Sequence, residues 1–263
     1  MPRRSRWLAQ EPRAESTARV FCLPFAGTGA GLLRQWPHRI GPVEVCRVQL
    51  PGRENRIREE AFADFDTFAE TTAEALAPYL DRPYALFGHC MGALLAHRLA
   101  VALEARPVRP PARLVVSSSL PPHFPPETRY RPPGTAAEGI YHPSMTDAEL
   151  TGEIRRVARA QGQPEILAEL LPLAVRTLRR DLDMCYRYAP AEPTPVRCPI
   201  TTVGWSRDPD VAPYEMTVWE RYGRVDHHTL DGDKLTFIRA PQPLMDVLAE
   251  ELLANATDSG ERR

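Results

Sequence analysis

Lysine is almost missing from this chain: of 33 basic residues in 263, only Lys234 is a lysine. Any ammonium chemistry is therefore confined to one position. Long apolar runs are also missing. No stretch approaches the roughly 20 residues a spanning helix needs, which argues against a membrane segment. An excess of one charge sign is absent too. The formal net charge is −1, so neither a nucleic acid nor a membrane surface is indicated as partner. Cysteine is sparse and odd in number, with five at Cys22, Cys46, Cys90, Cys185 and Cys198. Their wide spacing makes no zinc motif and fits reduced thiols in a cytoplasmic protein. Residues 1–17 are basic and polar without the apolar core of a signal peptide, so a loose tail is expected there and again at 255–263.

What is present points to one α/β domain over about 18–254. The chain is 43% hydrophobic and long enough to bury roughly three quarters of its unfolded surface. Apolar runs at Ala18–Leu23, Val43–Leu50, Tyr84–Phe87, Leu114–Ser117, Cys198–Val203 and Arg224–Leu230 read as strands. Helical periodicity covers Phe65–Leu80, Ala93–Leu103, Pro213–Tyr222 and Pro243–Ala254. Such alternation implies a mostly parallel sheet with helices on both faces. The alternation breaks over about 121–190. A proline-rich stretch there precedes two helical segments, Thr146–Arg159 and Pro164–Tyr188. This insertion is expected to form a lid over the site.

The segment that organises the chain is Gly88-His89-Cys90-Met91-Gly92, set between a strand and a helix. Gly-x-nucleophile-x-Gly in that context is the nucleophile elbow of α/β-hydrolases. The glycines let strand and helix approach, and the N–H of Met91 at the helix start can hold a developing oxyanion. The glycine-rich loop Pro24–Gly31 follows the first strand, where a second oxyanion donor belongs, here the Ala26 N–H. A phosphate-binding reading of that loop fails, because no Gly-Lys-Ser/Thr follows.

Four motifs together, Phe21–Gly27, Val48–Glu54, Leu86–Ala93 and Gly204–Pro209, resemble the type II thioesterases, free-standing α/β-hydrolases of polyketide and nonribosomal-peptide assembly lines. The resemblance spans about 18–254. It implies cleavage of acyl groups from the phosphopantetheine arm of an acyl or peptidyl carrier protein, by a nucleophile–acid–base triad. It implies no metal or other cofactor, and a monomer is expected. The nucleophile falls on Cys90 and the acid on Asp208, with Asp210 its close neighbour. The base position, histidine in the family, matches Lys234 within Gly232-Asp233-Lys234-Leu235.

Two departures from the triad change the expected chemistry. A thiol with pKa near ~8.5 depends less on a base than a hydroxyl, and the helix N-terminus is expected to lower it further. A charged lysine cannot take a proton from water. Transfer or cyclisation of the acyl group is therefore expected to outrun hydrolysis. An ordinary proofreading hydrolase would need Lys234 desolvated enough to act as a base, and a non-catalytic carrier-binding protein is the remaining alternative. His228 could restore a base if the loop register differs, with His227 beside it on the strand. His89 is expected to pack behind the elbow, and His123 and His142 to lie in the lid. The lid arginines Arg155, Arg156, Arg159, Arg176, Arg179 and Arg180 are candidates for meeting an acidic carrier helix.

Overall fold

The structure, a computed structural model, describes residues 6–129, 142–163 and 166–258. Seven strands form one sheet: β1 (Ala18–Leu23), β2 (Arg39–Ile40), β3 (Val43–Arg47), β4 (Tyr84–His89), β5 (Arg113–Ser117), β6 (Ile200–Trp205) and β7 (Val225–Leu230). Their order is β2-β3-β1-β4-β5-β6-β7. All pairings are parallel except β2 with β3. β1, β4, β5 and β6 are buried along their whole length, as strands covered on both faces must be. β1 lies between β3 and β4, so the order reverses there. Loops at the carboxyl ends on either side of such a reversal enclose a crevice where α/β proteins bind ligands. Both the Pro24–Gly31 loop and Cys90 open from that point.

Helices α1 (Phe65–Leu76) and α2 (Met91–Glu104) pack on each other, and α2 packs on β4 and β5. Asp64 caps α1, accepting the Thr67 N–H at 2.7 Å. The helices α3 (Pro126–Arg129), α4 (Asp147–Ala160) and α5 (Leu171–Arg187) fall in the inserted stretch expected to form the lid, and α6 (Gln242–Asp258) follows β7. α6 packs against β1, β2 and β5. The two long lid helices were expected from periodicity, and α4 also carries a capping box between Thr146 and Glu149. The second begins later than expected, at Leu171, after a 3-10 turn over Ala168–Leu170. Pro172 sits in its first turn, where a missing N–H costs nothing. Residues 130–141 and 164–165 of the expected lid lie outside the described residues, as do 1–5 and 259–263 of the expected tails.

Three local expectations differ. Pro213–Tyr222 is 3-10 helical. The strand expected to run to Leu50 ends at Arg47. Beyond it the chain pairs with the N-terminal segment, through a Leu8–Val48 bridge and a 2.8 Å bond from the Gln49 N–H to Trp7 O. Residues 6–17 are accordingly held against the domain. Leu8 is 5% exposed, the Arg56 guanidinium lies 4.4 Å over the Trp7 ring, and Glu44 accepts the Arg13 N–H and the Ser16 hydroxyl. Apolar Trp7 and Leu8 cover an otherwise open part of the sheet edge, which a reading by polarity alone overlooks.

Candidate active site

Cys90 adopts φ 53°, ψ −121° between β4 and α2. Few side-chain-bearing residues tolerate this region, and the strain is held by its surroundings. Its N–H donates to Ser117 O at 2.9 Å, and its carbonyl accepts the Ala93 N–H. The flanking glycines are sterically required. A Cβ on Gly88 would overlap the Gly92 carbonyl, and one on Gly92 would press on Leu23 O and Pro24 O. Gly92 thus brings α2 directly against the loop after β1.

That loop is anchored at several points. The Thr28 N–H bonds Phe25 O, the Gly27 N–H donates to Asp181 Oδ2 at 2.7 Å, and the Ala30 N–H to Gln49 Oε1 at 2.9 Å. The Ala26 N–H has no hydrogen-bond partner among the described residues. A backbone donor in a buried loop is left unpaired only rarely. An unpaired donor here is what a site for a transient oxyanion requires.

Asp181 comes from α5 of the lid. Arg53, in the loop after β3, grips it with two nitrogens, at 2.8 and 3.0 Å, and also donates to Thr28 O. Both side chains of this pair are buried. Leu178, one turn before Asp181, packs where a Cβ on Gly27 would stand. A lid carboxylate and a lid leucine therefore set the shape of the loop. Arg53 lies in the Val48–Glu54 motif, and nothing near it in the sequence signals its partner.

Lys234 is 4% exposed. It follows β7 in a tight turn, where the Thr236 N–H bonds Asp233 O and the Thr236 hydroxyl fills the space a Cβ on Gly232 would need. Its Nζ donates to Asp210 Oδ2. The acid expected to hold this lysine was Asp208, and the structure gives that hydrogen bond to Asp210. Asp208 instead folds back on its own turn, accepting the N–H groups of Asp210 and Val211 on Oδ1 and the Ser118 hydroxyl on Oδ2. Ser118, itself at φ 49°, stands directly after β5 in the run Ser117-Ser118-Ser119 and carries no sequence signal of this role.

The electrostatics centre on Lys234. Burial pushes the Cys90 thiol up, the Lys234 ammonium pulls it back, and Asp210 and Asp208 push it up again. The net shift is upward, contrary to the lowered thiol expected at a helix start. Desolvation outweighs the helix end because Cys90 is only 8% exposed. Burial likewise raises Asp208, with Lys234 opposing it. His89 is held far below the usual histidine range, first by burial and then by Lys234, so its ring is neutral.

Six of the seven histidines have hydrogen-bond partners other than Cys90, and His38 lines a separate cavity beside the N-terminal segment. His89 packs behind the elbow, with Nδ1 3.0 Å from Ser117 Oγ and its ring stacked 3.9 Å from Phe237. His228 Nε2 lies 2.8 Å from Glu251 on α6, and His227 sits between Thr202 and Glu220. His97 meets Thr194 O, His123 meets Tyr222, and His142 meets Ser144.

Two cavities lie beside these loops, one lined by Ala26 and the other by Lys234, with Cys90 in neither wall. One, of about 270 Å³, lies between the loop after β1 and the lid, lined by Phe25, Ala26, Leu32, Ile154, Val157 and Leu178 among others. The other, of about 630 Å³, runs past Lys234 between α4 and the turns after β6 and β7. The lid arginines do not make one patch. Arg156 and Arg159 line the second cavity, whereas Arg179 is bound inside the lid to Pro143 O, Met145 O and Asp147. Among the described residues, no group of acidic, histidine and cysteine side chains could hold a metal ion, and no helix is long and apolar enough to cross a membrane.

A profile of the thioesterase domain matches residues 18–252. The chain is 34% identical to the Brevibacillus parabrevis protein named linear gramicidin dehydrogenase LgrE, over 95% of this chain and 93% of that one. It is 33% identical to the gramicidin S biosynthesis protein GrsT of Aneurinibacillus migulanus, over 89% and 88%. Among solved structures, RedJ, a thioesterase of the prodiginine pathway in Streptomyces coelicolor, superposes with a TM-score of 0.72 at 30% identity, covering 93% of this chain and 96% of that one.

Proposed function

The chain belongs to the thioesterase family, and on that premise we propose that it takes acyl groups from carrier-protein thioesters of a polyketide or nonribosomal-peptide pathway onto Cys90, and passes them to an acceptor more readily than to water. Cys90 is the nucleophile. The N–H groups of Ala26 and Met91 receive the oxyanion. Lys234, held by Asp210, supplies positive charge beside the sulfur, and Asp208 shapes the turn that presents Asp210. The apolar cavity under the lid takes the acyl chain. The carrier protein is the partner that delivers it.

The observation that carries this reading is the Lys234–Asp210 hydrogen bond at the base position, with no histidine hydrogen-bonded to Cys90 among the described residues. In the first step the Cys90 sulfur attacks the thioester carbonyl and the pantetheine sulfur leaves. The proton lost by Cys90 ends on the leaving thiol, so one thiol and one thioester stand on each side. The step is nearly isoenergetic. Hydrolysis of the new thioester requires a base for water, and an ammonium paired with a carboxylate offers none. An amine, a thiol or an enolate brings its own nucleophile.

Intact-protein mass spectrometry with an acyl-pantetheine thioester tests this. An adduct on Cys90 should accumulate and should discharge faster on addition of N-acetylcysteamine than in buffer. Absence of any adduct would sink the reading. So would unassisted hydrolysis as fast as that of a Cys90→Ser/Lys234→His variant.

A further inference from the structure

The larger cavity beside Lys234 is lined by Arg156, Arg159, Arg207 and Arg239, with Asp233 as the one carboxylate among the described residues of its wall. Three of its cations are already matched. Arg156 pairs with Glu153 at 2.7 Å, Arg207 with Asp231, and Lys234 with Asp210. Arg159 and Arg239 have no hydrogen-bond or ion-pair partner among the described residues. They come from different elements, the last turn of α4 and the 3-10 turn Thr236–Arg239, and face one space. Against Asp233 they leave an excess of one positive charge. Asp233 is itself occupied, accepting the Leu235 N–H and the Thr236 hydroxyl.

We propose that this cavity is an oxyanion anchor for the substrate's phosphate. In it Arg159 and Arg239 grip the phosphate of the pantetheine arm, while the arm's thioester end reaches the Cys90 site past Lys234. The inference rests on the thioesterase reading of the site. Guanidinium forks match phosphate oxygens two at a time, whereas a lysine would offer only a point charge. One uncompensated charge suits the single charge of a phosphodiester. The smaller cavity, which α4 also lines, has no cation among the described residues of its wall, so the two spaces divide by chemistry: phosphate arm in one, acyl chain in the other.

The test uses unreactive thiols, so it does not depend on turnover. Titration calorimetry with 4′-phosphopantetheine and with pantetheine differs only by the phosphate. The phosphorylated form should bind the wild-type protein about tenfold more tightly, the scale of one exposed charge-assisted contact. The difference should shrink as salt is raised. Both arginines are exposed, so an Arg159→Ala/Arg239→Ala variant should fold normally, lose the difference and keep its affinity for pantetheine. Equal binding of the two thiols by the wild type would overturn the proposal, as would a difference that survives in the variant. If glutarate displaces 4′-phosphopantetheine as well as inorganic phosphate does, the cavity reads a carboxylate on the acyl chain and the phosphate assignment fails. A failure of the thioesterase reading would appear separately, as no adduct on Cys90 while the phosphate preference stands.

Discussion

Lys234 and Asp210 are a buried ion pair, 6% and 5% exposed along their side chains, and Asp210 Oδ1 has no hydrogen-bond partner among the described residues. Removing the ammonium leaves a carboxylate in a nearly dry site. Lys234→Met should therefore lower stability by about 3–5 kcal/mol. Replacing both partners, as Lys234→Met/Asp210→Leu, should restore most of it, since apolar pairs of similar volume often equal a buried salt bridge. Urea unfolding of the three proteins at neutral pH measures this. Equal stability of the wild type and the single variant would mean that water reaches the pair.

The same pair should govern the reactivity of Cys90. Only the thiolate is alkylated, and below its pKa the thiolate fraction rises tenfold per pH unit. Burial holds the Cys90 thiol above its usual value, so alkylation by iodoacetamide should be slow at neutral pH and still rising at pH 9. Lys234 pulls the thiol down and Asp210 pushes it up. Lys234→Met should therefore shift the alkylation profile to higher pH. A shift to lower pH would show that the sulfur does not sense the ammonium.

Much of this was legible in the sequence where the cause is local. The elbow could be read because its five residues are contiguous and Gly88 answers a demand made by Gly92 four positions on, although Gly92 itself is constrained by the distant Leu23 and Pro24. The central strands showed as apolar runs, and α4 as a helical stretch beginning near Thr146. Other features depend on how distant segments meet. The two-residue β2 carries no periodicity. Asp208 and Asp210 are equivalent by composition, and only the turn decides that one folds onto backbone N–H groups while the other meets Lys234. The raised thiol reflects burial, which no spacing reveals. Arg53 and Asp181 stand 128 positions apart, and nothing near either residue names the other.

His97 offers a pH test of the core. It is 1% exposed, and burial lowers its pKa to about 4 despite its bond to Thr194 O. In the unfolded chain it titrates near ~6.5. The unfolded state thus binds a proton that the folded state refuses as pH falls from about 6.5 towards 4. The stability present above pH 6.5 is lost over that window, by about 3 kcal/mol for this residue. His97→Gln keeps a donor for Thr194 O without the titration. Its unfolding free energy should fall less steeply between pH 6.5 and 4 than that of the wild type. Parallel curves would place the acid sensitivity elsewhere.

The link between lid and oxyanion loop should separate two kinds of reactivity at one sulfur. Asp181 holds the Gly27 N–H and Arg53 holds Asp181, so the position of Ala26 depends on α5. Alkylation of Cys90 creates no oxyanion, whereas attack on a thioester does. An Arg53→Met/Asp181→Leu variant should fold, because the buried pair is exchanged for apolar side chains of similar size. Its Gly27 N–H loses its acceptor, and the loop loses its anchor. Misplacing an oxyanion donor should slow acylation of Cys90 by an acyl-pantetheine about 10- to 100-fold, with iodoacetamide alkylation unchanged. If both rates fall together, the variant has disturbed the elbow itself. If neither falls, the Ala26 N–H does not receive the developing charge, and the lid covers the site without shaping it.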